Sequence, residues 1–171
     1  MAVSEKKGIK VVLLWRLLED AATKKAIKLA FQEEHSIEAS IEGGETKQTK
    51  DGIILTEGNV EETIPFKSTM ANNDDTAKML IKAFYDQNRL ELWEVDLNEK
   101  GSSGEYVAEY RQGRLTDITK TAGVDNTVVL EGTFKTEGNK QEGTVELTAE
   151  QEAVIQYAFR DTNEYVEPVT P

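Results

Sequence analysis

The most regular hydrophobic pattern in the chain is a strict alternation across residues 34–42. One phase carries the apolar side chains and the single histidine, at His35, Ile37, Ala39 and Ile41. The other phase carries only carboxylates and hydroxyls, at Glu34, Ser36, Glu38, Ser40 and Glu42. Because successive side chains of a strand point to opposite faces, this pattern predicts a strand with one face on the core and an acidic face in water.

Helical spacing is clearest across residues 73–88. Asn73, Asp74 and Asp75 offer side-chain oxygens that can cap a first turn, and Asn88 is a plausible end. The predicted core face of this helix consists of Ala77, Leu80, Ile81, Phe84 and Tyr85. Strand formers follow at once in residues 90–96. A lone helix with such a stripe must pack on something apolar, and a sheet is the available partner.

Most other segments are predicted to be strands. Residues 9–18 form an apolar run typical of a buried strand, whereas 26–31 fits a helix or a strand. We favour the strand for 26–31 because an alternating pattern follows it. Further strands are predicted at 60–67, 106–111, 127–135 and 144–147, and residues 53–55 are a short apolar segment.

Two of these strands carry residues with special backbone requirements. In the strand 60–67, Ile64 and Phe66 point inward, while Glu61, Thr63 and Lys67 point outward. Pro65 in the same strand lacks an N–H, so the side of the strand toward which its nitrogen points should face an edge or a bulge. In the strand 106–111, the pattern places Tyr106, Ala108 and Tyr110 on one face and Val107, Glu109 and Arg111 on the other. Gly113 marks a bulge or a close approach of backbone.

Residues 43–52 form a long polar loop or a flexible hairpin between two predicted strands. Its members are Gly43, Gly44, Glu45, Thr46, Lys47, Gln48, Thr49, Lys50, Asp51 and Gly52. A flexible N-terminal arm is predicted at about residues 1–8 and a polar C-terminal tail at about 163–171. Together these elements predict one domain over residues 1–171, a mainly β sandwich or open barrel with one flanking α-helix.

Composition limits the classes of function. The chain has 20 basic and 32 acidic side chains and a net charge of −12, which argues against a protein that grips nucleic acid. Cysteine is absent, which excludes disulfides, thiolate metal sites and cysteine catalysis. Lys6 and Lys7 precede an apolar run that is too short for a signal peptide and is interrupted by Arg16. We expect no membrane span, and a protein kept in the cytoplasm until it is assembled or released.

Candidate chemistry is sparse. His35 is the only histidine and lies in the core-facing phase, so we expect a structural role and neither a metal site nor a cofactor. Adjacent carboxylates such as Glu61 and Glu62 arise freely in so acidic a chain. No phosphate-binding loop, dinucleotide fingerprint or nucleophile elbow occurs, so the chain is not expected to be an enzyme. Trp15, Trp93, Tyr106 and Tyr110 leave open a sugar-binding platform, although aromatics in strands more often pack in a core.

The order of several short motifs resembles one family over about residues 8–162. The motifs are Gly8 with 11–16, Gln32-Glu33-Glu34-His35-Ser36, Thr49-Lys50-Asp51-Gly52, 90–97, 106–110 with Gln112-Gly113, Glu142-Gly143 with 147–151, and 157–162. In this order and spacing the chain is similar to the major tail proteins of siphovirus-type bacteriophages of Gram-positive hosts.

The resemblance implies a structural virion protein with a tail-tube-like fold. Such proteins form hexameric rings that stack into a tube, and inner sheets of neighbouring copies join around the lumen. The tube encloses the tape measure protein, is bounded by tail terminator and tail-tip proteins, and conducts DNA without binding it specifically. The implied location is the virion tail, with assembly in the host cytoplasm.

The alternating patterns of residues 34–42 and 60–67 add candidate residues to this architecture. The acidic phase Glu34, Ser36, Glu38, Ser40 and Glu42 is the first candidate for the lumen wall, followed by Glu61 and Thr63, because a DNA channel should repel phosphates. The loop 43–52 is a candidate contact between stacked rings. The alternatives that remain are an acidic face that meets only bulk solvent, a carbohydrate-binding module, and an enzyme that works through acidic pairs.

Overall fold

The computed structural model describes residues 3–155, which are mostly β structure. The strands are β1 (Val11–Leu17), β2 (Ile27–Lys28), β3 (Gln32–His35), β4 (Glu38–Glu42), β5 (Thr46–Thr49), β6 (Gly52–Leu55), β7 (Asn59–Thr69), β8 (Leu90–Lys100), β9 (Tyr106–Thr121), β10 (Val129–Thr136) and β11 (Gln141–Val145). The helices are α1 (Asp75–Tyr85) and α2 (Ala149–Ile155), and 3-10 turns occupy Gly8–Lys10 and Leu18–Asp20. The predicted C-terminal tail lies outside the described residues.

Nine of these strands form one antiparallel sheet in the order β2-β1-β8-β9-β10-β7-β3, with β4 also paired to β7 and β11 to β9. The sheet curls until β3 approaches β1. There the Leu13 N–H donates to Gln32 Oε1 at 3.0 Å, and Gln32 Nε2 donates to the Leu13 carbonyl at 2.6 Å. The result is an open half-barrel with α1 packed on its core, as predicted for the fold class.

The main core lies inside the curl, between the sheet and α1. Trp15 is its largest fully buried side chain, with ring centroids 5.0 Å from Phe66 and 5.8 Å from Phe134. A second cluster lies on the opposite face of the sheet and includes Val12, Leu14, Val95 and Leu97. The centre of β1 is therefore buried on both faces, which explains its continuous apolar run.

The helix α1 follows its predicted pattern except at the C-terminal end. Asp74 is the N-cap, and its Oδ1 accepts from the Ala77 N–H at 3.1 Å. Of the predicted core face, Ala77 and Leu80 are buried and Ile81 and Phe84 pack at the rim of the core.

The prediction for Tyr85 is wrong, because its side chain is 75% exposed. Buried positions centre on Leu80, and five residues at 3.6 per turn place Tyr85 about 140° away. The predicted end at Asn88 is also wrong, since the helix ends at Tyr85 and Gln87 takes the left-handed conformation at φ 55°.

The acidic alternation departs from the single predicted strand. The pattern divides into β3 and β4, and every residue of β4 is exposed, so the described residues 3–155 place no core under either of its faces. The interruption lies opposite Pro65, whose carbonyl accepts from the Ser36 N–H at 3.0 Å. Because N–H and C=O of one strand residue point the same way, the missing proline N–H faces this gap, as predicted.

The strand β9 changes its buried face along its length. Tyr106 and Ala108 share a face that packs in the second cluster, whereas Arg111 on the opposite face is only 1% exposed. Gly113 makes the predicted close approach, since a Cβ there would overlap the carbonyl oxygen of Lys135. The actual bulge is at Thr116, where the pairing of β9 with β10 shifts register.

The ambiguous segment 26–31 is strand only at β2, and Leu29 is buried beyond it. Phe31 then takes a positive φ of 48° and leaves its ring 66% exposed. The strand prediction is therefore correct for two of the six residues. The turn at Phe31 separates β2 from β3, so the strand does not continue into the alternating pattern that follows.

Candidate functional site

The predicted acidic residues meet on one face of the sheet. In the β4–β7 pairing, Glu38 lies opposite Thr63, Ser40 opposite Glu61 and Glu42 opposite Asn59. Glu34 lies opposite Lys67 in the β3–β7 pairing. Because directly paired residues share a face, these side chains project away from the face that holds Ile64 and Phe66.

The same face continues across β10 and the second half of β9. Together its members form what we term the polar face: Glu34, Glu38, Ser40, Glu42, Glu61, Thr63, Lys67, Arg114, Asp117, Thr119, Glu131, Thr133 and Lys135. Ser36 belongs to it less directly, since it lies in the gap between β3 and β4 and lines a shallow groove with Glu34 and Asp117. The seven predicted lumen candidates are thus brought together.

The polar face is electrostatically negative. It holds six carboxylates against three cationic groups, and each cation forms an ion pair. Lys135 Nζ lies 3.1 Å from Glu61, Lys67 Nζ lies 3.6 Å from Glu33, and Arg114 Nε lies 3.2 Å from Glu137. Such a surface repels phosphate oxygens and offers them no isolated cation.

Two backbone edges flank the polar face. Within residues 3–155, β4 pairs only with β7, so its other edge has no partner. The strand β8 pairs with β9 only as far as Gly113. In residues 114–121 of β9, the edge that faces away from β10 is therefore also unpaired. A polar sheet with a free edge on each side is a template for adding strands from another chain.

The predicted loop 43–52 is the first part of a hairpin made by β5 and β6. Its base is closed by Glu45 and Thr56, which exchange backbone and hydroxyl hydrogen bonds of 2.8–2.9 Å. Ile53, Ile54 and Leu55 on β6 are 69%, 50% and 80% exposed. The hairpin therefore projects a small apolar surface away from the sheet.

A buried ionic cluster lies inside the half-barrel and was missed by the sequence analysis. The Arg111 guanidinium donates to Glu62 through Nε and to Glu109 through Nη2, the latter at 2.5 Å. Glu94 Oε2 lies 4.0 Å from Arg111 Nη1, and Glu94 Oε1 lies 3.0 Å from His35 Nε2. A usable signal existed, because Glu62 and Glu94 fall in the same phase as the core residues of their strands.

Titration behaviour follows the contacts of this cluster. Burial by itself lowers the pKa of Arg111, but Glu62 and Glu109 outweigh it and leave the pKa raised. Burial raises the pKa of Glu109, and hydrogen bonds from Lys140 and Arg111 more than reverse this, so that the pKa lies below its ordinary value. The cluster therefore stays charged and links β7, β8 and β9 through ion pairs.

The structure does not form the alternative sugar-binding platform. Trp15 is fully buried in the main core and Tyr106 is buried in the second cluster. Trp93 and Tyr110 pack together on the outer side with centroids 5.1 Å apart, and the Arg16 guanidinium covers Trp93 at 5.0 Å.

Metal-binding clusters and membrane-spanning helices are both absent from residues 3–155. No group of three or more histidine or acidic side chains there is placed to hold a metal ion. No helix in the same range is long and apolar enough to cross a membrane.

Comparisons with known proteins identify one family by sequence and the same fold in solved structures. Residues 5–142 match the family model described as phage tail tube protein. The SPP1 tail tube structure, determined by solid-state NMR and cryo-EM, superposes with a TM-score of 0.76 at 20% identity over 95% of each chain. The tail of an empty gene transfer agent particle, refined helically with C6 symmetry, gives 0.63 at 14% identity over 80% of this chain and 98% of that one. Comparison with curated protein sequences gives no match.

Proposed function

The chain belongs to the phage tail tube protein family, a family of structural proteins rather than enzymes, and from that premise we propose that it is a major tail protein. Its copies form hexameric rings that stack into the tube of a virion tail, after synthesis in the host cytoplasm. The main observation that supports a ring is the pair of free strand edges beside the polar face, one on β4 and one on β9. The C6 symmetry of the gene transfer agent tail supports the number six.

Strand direction allows the ring to close by β pairing. The four strands β4, β7, β10 and the second half of β9 are successively antiparallel, so β9 runs opposite to β4. A second copy can therefore add its β4 to the free edge of β9 and continue the antiparallel alternation. Each copy gains backbone hydrogen bonds at both edges, which removes the exposed edges of the isolated chain.

The polar face is the proposed lumen wall, including Glu34, Glu38, Glu42 and Glu61. Carboxylates that face a narrow aqueous channel keep DNA phosphates away from the wall, so the genome passes without specific binding. Before ejection the same lumen holds the tape measure protein, and tail terminator and tail-tip proteins bound the two ends of the tube. No membrane contact is part of this function.

Negative-stain electron microscopy of the concentrated protein, alone and with the other tail components, tests the tube directly. We expect hollow tubes or rings, and a reconstruction with Glu38 and Glu61 on the channel wall. Dispersed particles under both conditions would contradict the tube. Tubes with Glu38 and Glu61 on the outer surface would contradict only the lumen assignment.

The β5–β6 hairpin is the proposed contact between stacked rings. Its ends already touch, since a Cβ on Gly58 would lie 2.7 Å from the Gly44 nitrogen. A variant that lacks residues 45–57 should therefore fold, with circular dichroism and a melting temperature close to those of the parent chain. We expect it to form no long tubes in electron micrographs, because the apolar side chains on β6 are lost.

A matched control keeps the hairpin and changes only its tip, with Lys50→Ser. This side chain is exposed and lies apart from the apolar residues of β6, so tubes of normal length are expected. Normal tubes from the hairpin deletion would reject the hairpin as the inter-ring contact.

A further inference from the structure

The strand β4 carries an apolar phase that no element of residues 3–155 covers. Ile37, in the gap before β4, is 37% exposed and Ile41 is 70% exposed. Pairing with Val60 places Ile41 on the side opposite the polar face, and the alternation with Glu38 predicts the same side for Ile37. Val60, the cross-strand partner of Ile41 on β7, is 56% exposed. Three large apolar side chains on one side of a two-strand edge form a surface of the kind that protein contacts usually cover.

A second apolar strip lies near the other free edge, on α1. Ile81 and Phe84 pack only at the rim of the core, together with Ile118 of β9. Tyr85 is 75% exposed, and its ring lies 5.6 Å from that of Phe84. Residue 118 belongs to the unpaired half of β9, so the strip lies on the core side of the sheet beside a free strand edge.

From these two surfaces we propose that α1 of each copy covers β4 of the neighbouring copy. The inference rests on the proposed ring. Rotational symmetry turns the polar face of every copy toward the same channel. A neighbour's β4 added to β9 then presents Ile37 and Ile41 on the side where α1 lies, against Phe84 and Tyr85.

Charge favours this partner over a random apolar contact. Residues 32–42 carry four carboxylates and neither lysine nor arginine. The receiving segment 114–121 carries Arg114 and Lys120 against one acid, Asp117. The two edges are thus electrostatically matched as well as matched in their apolar phase. The sequence pattern predicts Tyr85 and Ile41 to be buried, but both are exposed in the single chain. In the assembly they become buried against each other.

Engineered cysteines test the contact, because the chain has none of its own. Tyr85→Cys is combined with Ile37→Cys or Ile41→Cys, tubes are formed and imaged, and a short thiol cross-linker is added. We expect a ladder of covalent multimers on a denaturing gel for at least one pair. The matched control, Tyr85→Cys with Ser40→Cys, places the second thiol on the polar face of the same strand and should give no ladder.

The possible outcomes distinguish failure of the proposed α1–β4 contact from failure of the proposed tube. Imaged tubes without a ladder from either test pair overturn the contact and leave the tube intact. Failure of the parent chain to form tubes under any condition overturns the tube, and the contact with it.

A single substitution covers the case in which the cysteine variants do not assemble. Tyr85→Ser should leave the melting temperature of the unassembled chain unchanged and raise the concentration needed for tubes about tenfold. An unchanged assembly concentration would reject the contact. Asp75→Ser, at an exposed site elsewhere on α1, is the control and should change neither quantity.

Discussion

Replacing Arg111 with methionine is expected to lower the free energy of unfolding by about 3–5 kcal/mol, because it leaves the largely buried Glu62 carboxylate without its cation and Glu109 with Lys140 alone. The Arg111 side chain is fully buried, and its partners Glu62 and Glu109 are 12% and 26% exposed. Methionine retains much of the side-chain volume, so the loss reports charge more than packing. Urea unfolding of the unassembled chain, followed by tryptophan fluorescence, measures it.

Two further variants identify the cause of that loss. Arg89→Met removes an arginine that is 52% exposed and pairs with Glu137 at 3.0 Å, so it should cost no more than about 1 kcal/mol. Adding Glu62→Met to Arg111→Met removes one orphaned carboxylate and should restore part of the stability. If Arg111→Met costs no more than Arg89→Met, the ionic cluster does not stabilise the fold.

The effect of Arg111→Met should also depend on pH. Because the pKa of Glu109 is below its ordinary value in the folded chain, its contribution is fully present above the ordinary titration range of glutamate. That contribution is lost as the pH falls through and below this range. The variant lacks part of this pKa depression, so its stability should fall less on acidification than that of the parent chain. Urea melts between about pH 7 and pH 3 measure the difference.

Replacing Gly113 with alanine is expected to cost about 2–3 kcal/mol, which lowers Tm by about 4–12 °C for a chain of this length. A Cβ at this position would overlap the backbone oxygen of Lys135 and crowd Phe134, so β9 or β10 must shift. Backbone cannot yield as a flexible side chain does, and Phe134 lies fully buried in the main core.

Gly143 offers a matched control for Gly113. It also lies in a strand, β11, that pairs with β9, but a Cβ there would meet nothing within 4 Å. Gly143→Ala should therefore leave Tm within about 2 °C of the parent value. Differential scanning calorimetry compares both variants, and equal melting temperatures would show that the approach of β9 to β10 is not a constraint.

Local patterns were sufficient for much of the architecture. The buried positions Ala77 and Leu80 and the inward pair Ile64 and Phe66 were predicted correctly, and the cap Asp74 is one of the three candidates offered. Of the two alternatives for Gly113 the close approach is correct, and the gap opposite Pro65 was also predicted. In each case the signal is carried by a few neighbouring residues, through side-chain period or through a backbone requirement of one residue type.

The errors and omissions about burial have a different origin. The alternation placed Arg111 with Val107 and Glu109 on one face of β9 and gave no sign that this face is covered. The curl of the sheet encloses it from Glu109 onward. Tyr85 fits the apolar stripe of its helix, yet no other element of residues 3–155 covers it. A face is buried by whatever packs against it, and that depends on elements distant in the sequence.

The sequence by itself determined the tail-tube fold class, the family, the position of α1 and the phase of the acidic side chains along residues 34–42. Only the tertiary structure decided which of these phases is covered, where β9 bulges, that residues 43–52 begin a hairpin, and that an arginine is buried among three glutamates. The physical reason is that periodicity is a local property of each strand or helix. Burial and edge pairing follow from the curl of the sheet, which brings residues together that lie far apart in the chain.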